Sequence, residues 1–136
     1  MKTSNNLVIA DSSALYSLIK IQDSNHKKAL KIIQTLLKEN RTVLIPGDVF
    51  SEMLNVTGKK LGKAQQLKVA GKLSSEGFIL AEADEKIRIS SVEKLRKLPG
   101  SVSYTDCVVM AFADEYKTKD ILGFDEVFSK QGYKLP

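Results

Sequence analysis

The sequence predicts an α/β fold: a three-layer α/β/α sandwich with a mainly parallel central sheet, formed by one domain over residues 1–136. Two observations carry this. Short apolar runs at residues 7–10, 42–45, 78–80 and 121–123 are separated each time by segments of helical periodicity. Strands that alternate with helices pair in parallel through right-handed crossovers and bury both faces of the sheet. The second is residues 106–116, whose centre (Val108, Val109, Met110, Ala111, Phe112, Ala113) is nearly all apolar. A helix apolar around most of its girth lies in the middle of a domain.

Each element follows from its residues. Leu7, Val8, Ile9 and Ala10 form a first strand that stops at Asp11. Residues 13–20 follow as a helix with Leu15, Leu18 and Ile19 on one face. Asp23-Ser24-Asn25 interrupts it and supplies the N-cap of a second helix, which carries Ala29, Ile32, Ile33, Leu36 and Leu37 and ends near Asn40. The second strand, 42–45, is closed by Pro46-Gly47. A third helix is expected from Asp48 to Thr57 with Gly58 as its stop, and a fourth from Lys63 to Leu73. After the strand at 78–80, residues 85–98 read as a fifth helix with Ile87, Val92, Leu95 and Leu98 inward, broken by Pro99-Gly100. Ser103 opens the buried sixth helix. A strand at 121–123, a helical turn at 125–130 and a last short strand at 133–135 complete the chain.

Composition narrows the function. With 43% hydrophobic and 27% charged residues the chain is of the ordinary globular class, neither disordered nor fibrous. No apolar run approaches the roughly 20 residues needed to cross a bilayer. The polar start at residues 1–6 does not read as a signal peptide. Cys107 stands alone, which excludes an internal disulfide and a multi-cysteine zinc site and leaves it a small core residue. A cytoplasmic protein is the expectation. The net charge is +5, and residues 53–75 hold five lysines (Lys59, Lys60, Lys63, Lys68, Lys72) and no acid. A charge equal to the whole protein's net is thus gathered in one segment, a hint of a polyanionic partner.

The chemistry rests on the acids. Asp11 ends the first strand and could be a helix cap or a functional carboxylate. Asp48 reads as a cap. Glu52 lies a turn inside its helix and has no capping duty. Asp106, three residues after Ser103, completes a capping-box pattern, and the helix dipole there favours its ionised form. Asp125 starts a helical turn after the fourth strand. Taken together, Asp11, Glu52, Asp106 and Asp125 head for the edge of the sheet where parallel strands end. Two carboxylates at about 4 Å repel by on the order of 4 kcal/mol at an effective dielectric near 20. A divalent cation removes that cost, and oxygen-only ligands favour Mg²⁺ or Mn²⁺ over zinc. Such a site acts on phosphate esters.

These residues carry a resemblance. Val8-Ile9-Ala10-Asp11-Ser12-Ser13-Ala14-Leu15, Val49-Phe50-Ser51-Glu52-Met53, Thr105-Asp106-Cys107-Val108-Val109-Met110-Ala111-Phe112-Ala113 and Gly123-Phe124-Asp125-Glu126-Val127-Phe128 are similar to the motifs of PIN-domain proteins, and at this length of VapC-type toxin ribonucleases. The resemblance implies a Mg²⁺- or Mn²⁺-dependent endoribonuclease. Asp11 and Asp106 would be the core metal ligands. Glu52 would bind metal or orient the attacking water, Asp125 would serve a second metal or the outer shell, and Ser13 would support Asp11. It implies an antitoxin partner and a homodimer as well. Gly123 departs from the pattern, standing where members often carry Thr.

The lysines suit an RNA substrate. Lys59 with Lys63, and Lys68 with Lys72, are spaced as i,i+4 pairs that present charge on shared helix faces, a rim able to hold phosphates. His26 reads as a surface helix residue, and Tyr104 as helix-start packing or a base-stacking platform. Rival functions are few. A non-catalytic PIN-like RNA- or protein-binding module would keep the fold and the rim without working ligands. A receiver-like domain needs a second acid directly after Asp11 and an Asp-x-Asp phosphohydrolase needs one at position 13, where the chain has Ser12 and Ser13.

Overall fold

The computed structural model describes residues 6–75 and 77–136. All of the polar start except Asn6 therefore lies outside the described residues, as does Glu76. Four strands, β1 (Leu7–Ala10), β2 (Thr42–Pro46), β3 (Phe78–Ala81) and β4 (Ile121–Leu122), form one parallel sheet in the order β3-β2-β1-β4. Between and after them run α1 (Ser12–Ile19), α2 (His26–Lys38), α3 (Gly47–Leu61), α4 (Lys63–Leu73), α5 (Glu85–Lys97), α6 (Tyr104–Glu115) and α7 (Glu126–Lys130). Among the described residues no helix is long and apolar enough to cross a membrane.

Strand order places the ligand crevice. The chain moves from β1 outward to β2 and β3, then returns past β1 to lay down β4 on its other side. Right-handed crossovers in opposite directions put α1–α4 on one face of the sheet and α5 and α6 on the other. The reversal falls between β1 and β4. In open α/β sheets such a switch point opens a crevice at the carboxyl ends of the strands. Asp11 follows β1 there, and Gly123 follows β4.

The core is the sheet and α6. Val8, Ile9 and Ala10 are fully buried, and so is the α6 run from Cys107 to Ala113. Burial pushes the Cys107 thiol up from its ordinary value, which keeps it a protonated core group.

Four local expectations are corrected. Gly58 does not stop α3, which continues to Leu61 and breaks at Gly62, where φ is +91°. The missing side chain at Gly58 is filled by Gln66 of α4, whose Nε2 donates to the Leu54 carbonyl at 2.8 Å. Lys59 and Lys63 thus lie on different helices and form no i,i+4 pair. In α5, Val92 and Leu95 face outward at 44% and 42% exposure, and the buried positions are Ile87 and Ser91. Ser91 donates its hydroxyl to the Ile87 carbonyl at 2.7 Å, so one of the two buried positions of α5 is held by a small polar side chain whose hydroxyl is satisfied within the helix. The expected last strand reduces to a single bridge between Asp120 and Lys134. Tyr133 is buried beside it and donates its hydroxyl to Asp114 at 2.7 Å. Finally, Asn25 is the N-cap of α2 by position but makes no side-chain capping bond. Asp23 instead accepts from the Asn25 N–H at 3.0 Å and from Ser17 Oγ at 2.8 Å, closing the turn between the helices. His26 is half-buried there, its Nδ1 bonded to the Ser17 carbonyl at 2.9 Å.

Candidate active site

Asp11 is a helix cap and something more. It is the N-cap of α1, and its Oδ2 accepts from the Ser13 N–H at 3.3 Å and from the Ser13 hydroxyl at 2.9 Å. Ser13 Oγ in turn accepts from the Phe124 N–H at 3.2 Å, and the Asp11 N–H donates to the Leu122 carbonyl at 2.9 Å. The acid is therefore stitched to the end of β4 from two sides. A cap normally sits at the surface, but Asp11 is only 3% exposed. Burial pushes its carboxyl up to about 6, the charge of Asp106 pushes the same way, and the Ser13 bonds oppose both.

Asp106 heads α6 in a true capping box. Its carboxylate accepts from the Ser103 N–H at 3.3 Å while Ser103 Oγ accepts from the Asp106 N–H at 3.1 Å. The helix dipole favours its ionised form, yet the group is half-buried, and burial together with the charge of Asp125 lifts it above the ordinary carboxylate value. Asp125 is exposed and caps α7 through the Val127 N–H at 3.2 Å. A chain of repulsion thus runs from Asp125 to Asp106 and from Asp106 to Asp11. Glu52 stands apart from it. It caps nothing, is exposed, and lines a hollow with Ser12, Ser13, Tyr16 and Lys60. Among the described residues no three acidic, histidine or cysteine side chains lie close enough to form a ready-made metal cage.

Nearby cations show which acids are neutralised. Asp48 is not the cap of α3; that position is Pro46, with no side-chain bond. Asp48 instead takes a bidentate pair from Arg88, both contacts at 2.8 Å. Arg88 also donates to Tyr104 Oη at 3.1 Å and lies over its ring, which assigns that aromatic to holding a guanidinium. By contrast, Asp11, Glu52, Asp106 and Asp125 have no ion-pair partner among the described residues. Of the five lysines, Lys60 shares the hollow with Glu52, its Nζ 5.5 Å from the Tyr16 ring centre. Lys59, Lys63, Lys68 and Lys72 are exposed on the end of α3 and on α4.

Sequence reasoning misses one acid. Glu82 directly follows β3, and its carboxylate occupies the space where a side chain at Gly47 would begin. It lines a second hollow with Asp48, Glu52, Arg88 and Thr105. The signal that could have found it is the one that marks Asp11: an acid at the end of a parallel strand.

A family model for the PIN domain matches residues 8–132. The chain belongs to the PIN domain family. The fold is similar to the crystal structure of Mycobacterium tuberculosis VapC20, a sarcin–ricin-loop-cleaving toxin, with a TM-score of 0.82. The two chains are 17% identical, and the match covers 93% of this chain and 96% of that one. A comparison with curated protein sequences gives no match.

Two features of this PIN domain bear on a metal. Its donors are all oxygens, and its most buried acid is pressed by a second one. Mg²⁺ is typically bound by one or two carboxylates with water and substrate phosphate completing the shell, so a pair such as Asp11 and Asp106 fits it without a full protein cage. Gly123 bears on the position of Asp11. A β-carbon there would fall 2.9 Å from Asp11 Cβ and 2.9 Å from the Phe128 ring. Glycine at this position is the condition for Asp11 and the end of β4 to lie as close as they do.

Proposed function

We propose that this PIN domain is a Mg²⁺- or Mn²⁺-dependent endoribonuclease and the toxin of a toxin–antitoxin pair. The observation that carries the reading is the concentration of unneutralised carboxylates at the switch point, with Asp11 buried there against its own desolvation cost. A stable fold has no need of that arrangement. Asp11 and Asp106 would hold the metal, with Asp125 at its outer side. A bound divalent ion would activate water and offset charge on the phosphate. Ser13 keeps Asp11 aimed by donating to it while being held by the Phe124 amide. Glu52, free of any capping bond, would accept a hydrogen bond from the attacking water. Lys60 would steady an RNA phosphate that the acids repel. The likeness to an RNA-cleaving toxin supports RNA as the substrate class and an antitoxin protein as partner.

Purified protein is expected to cut single-stranded RNA with Mg²⁺ or Mn²⁺ and to stop on adding EDTA. Equal cutting in EDTA would overturn the reading. The lack of a three-acid cage among the described residues favours one alternative, a non-catalytic RNA- or protein-binding module. Calorimetry separates the two: the nuclease binds Mn²⁺ and loses that binding in Asp106→Asn, and the module binds none.

The basic segment makes its own prediction. In a catalytically silent background, neutralising Lys59, Lys60 and Lys63 to Gln should weaken RNA binding. It should also flatten the slope of log K against log salt by about 0.7 for each lysine that meets a phosphate. Filter binding across a salt series measures this, and an unchanged slope returns these lysines to a solvated surface.

A further inference from the structure

Two hollows meet at Glu52 and differ in chemistry. Glu52 and Val56 line both. On one side Tyr16 and Met53 make an apolar wall beside the single cation Lys60. On the other side Asp48, Glu82 and Arg88 join Glu52 around an open, polar hollow of about 570 Å³. Arg88 is anchored there by contacts that use only part of its guanidinium. Its Nη1 donates to Asp48 and to Tyr104 Oη, and its Nη2 donates to Asp48. A guanidinium carries five N–H donors in a fixed fork. The Nε–H and the second Nη2 hydrogen are left without a partner among the described residues. These two lie side by side on one edge of the group and form a second bidentate face. Glu82 supplies the opposite chemistry. It is exposed, rests its carboxylate against Gly47 and has no ion-pair partner among the described residues.

Three acids against one guanidinium leave this hollow negative, so a phosphate is repelled from it. It suits a neutral group with two adjacent acceptors for Arg88 and adjacent N–H donors for a carboxylate. Among the four bases of RNA, guanine has both. Its O6 and N7 accept side by side, and its N1–H and N2 amino group donate side by side. Adenine and cytosine set a ring acceptor next to their amino group, and uracil has one N–H between two carbonyls. Unstacked bases of single-stranded RNA expose these edges to side chains. We propose that this hollow selects a guanine, Arg88 donating to O6 and N7 while Glu82 accepts from N1–H and the N2 amino group. The inference rests on RNA as the substrate, as proposed above, and adds which base is chosen beside the cut. Asp48 and Tyr104 are positioning residues, which hold the guanidinium ready before RNA arrives. Because Glu52 borders both hollows, the base and the phosphate held by Lys60 fall on opposite sides of it.

The test is fluorescence anisotropy in the Asp106→Asn background with Mg²⁺ present, so that binding is read and not cleavage. The probes are oligouridylates carrying one guanine, adenine or cytosine at the same place. The guanine strand is expected to bind about tenfold to a hundredfold more tightly than the others. Replacing guanine by 7-deazaguanine removes the N7 acceptor, and replacing it by hypoxanthine removes the N2 amino donor. Each should cost about tenfold, the worth of one charge-assisted hydrogen bond. Arg88→Lys keeps a charge beside Asp48 but loses the fork, so it should bind guanine and 7-deazaguanine strands alike. Glu82→Ala changes an exposed side chain and should bind guanine and hypoxanthine strands alike. Equal binding of all strands overturns the proposal, and so does a guanine preference that both variants retain. Competition by inorganic phosphate that Arg88→Lys abolishes would assign the hollow to a phosphate and overturn it too. A protein that prefers guanine and cuts no RNA loses the nuclease reading alone. One that cuts RNA with no preference for guanine loses only this inference.

Discussion

Asp11→Asn is expected to abolish RNA cleavage and, in the same molecule, to make the fold more stable at neutral pH. The first effect, a loss of at least about a thousandfold, follows from removing a metal-binding charge that a neutral amide cannot replace. The second follows from linkage. The carboxyl rises from 3.8 to about 6 on folding, so the folded state binds its proton more tightly than the unfolded chain does. Stability from this group is therefore fully present below 3.8, is lost as pH rises towards about 6, and stays lost above that. Every tenfold difference in proton affinity between the two states corresponds to about 1.4 kcal/mol. The amide keeps an acceptor for the Ser13 hydroxyl and avoids the charge, so a gain of about 1–3 kcal/mol at pH 7 is expected. Urea unfolding from pH 4 to 8 should show the two proteins converging at the acid end and separating through the window between those values. Mg²⁺ should raise the melting temperature of the parent and leave the variant unmoved. Asp106→Asn should lose cleavage similarly but gain less stability, because Asp106 keeps more solvent and its capping-box bond survives in the amide. An Asp11→Asn protein that cuts RNA at the parental rate would remove the basis for the metal site.

Much of the fold is legible in the sequence because it rests on local pattern. Four apolar runs between helical segments suffice for a parallel sheet, and the unbroken apolar centre of residues 107–113 marks the helix that the sheet buries. The capping box at Ser103 and Asp106 is equally local. What sequence does not show depends on residues far apart. Asp48 looks like a cap because its partner, Arg88, lies 40 residues on. The phase of α5 is misleading because Ser91, small and polar, is buried with its hydroxyl bonded within the helix, while the larger Val92 and Leu95 are left outside. Gly58 looks like a stop because nothing near it announces Gln66 filling its side. The candidate site divides the same way. The positions of Asp11, Asp106 and Asp125 at element ends are visible, but the chain of repulsion through them and the depth of Asp11 arise only once β4 returns beside β1. Glu52, the acid whose lack of a capping duty argues for chemistry, lies outside that chain of repulsion and next to Lys60.

Gly123→Ala is the sharper probe of that juxtaposition, for it adds one carbon and no charge. Backbone strain does not enter, because Gly123 is not among the residues with positive φ. Space does. The new carbon would meet Asp11 Cβ at 2.9 Å and the Phe128 ring at the same distance. The ring can tilt, but Asp11 is held at its backbone by Leu122 and at its carboxylate by Ser13. Overpacking of this kind costs about 1–3 kcal/mol. A displacement of the acid approaching about 1 Å is expected to lower cleavage by about a hundredfold, since reacting groups tolerate little misplacement. A second change separates the two causes. Phe128→Leu in the Gly123→Ala background relieves the ring contact and leaves the Asp11 contact in place. Stability should then recover in part while cleavage stays low. If both recover together, the defect lay in packing against Phe128, and Gly123 has no part in positioning Asp11.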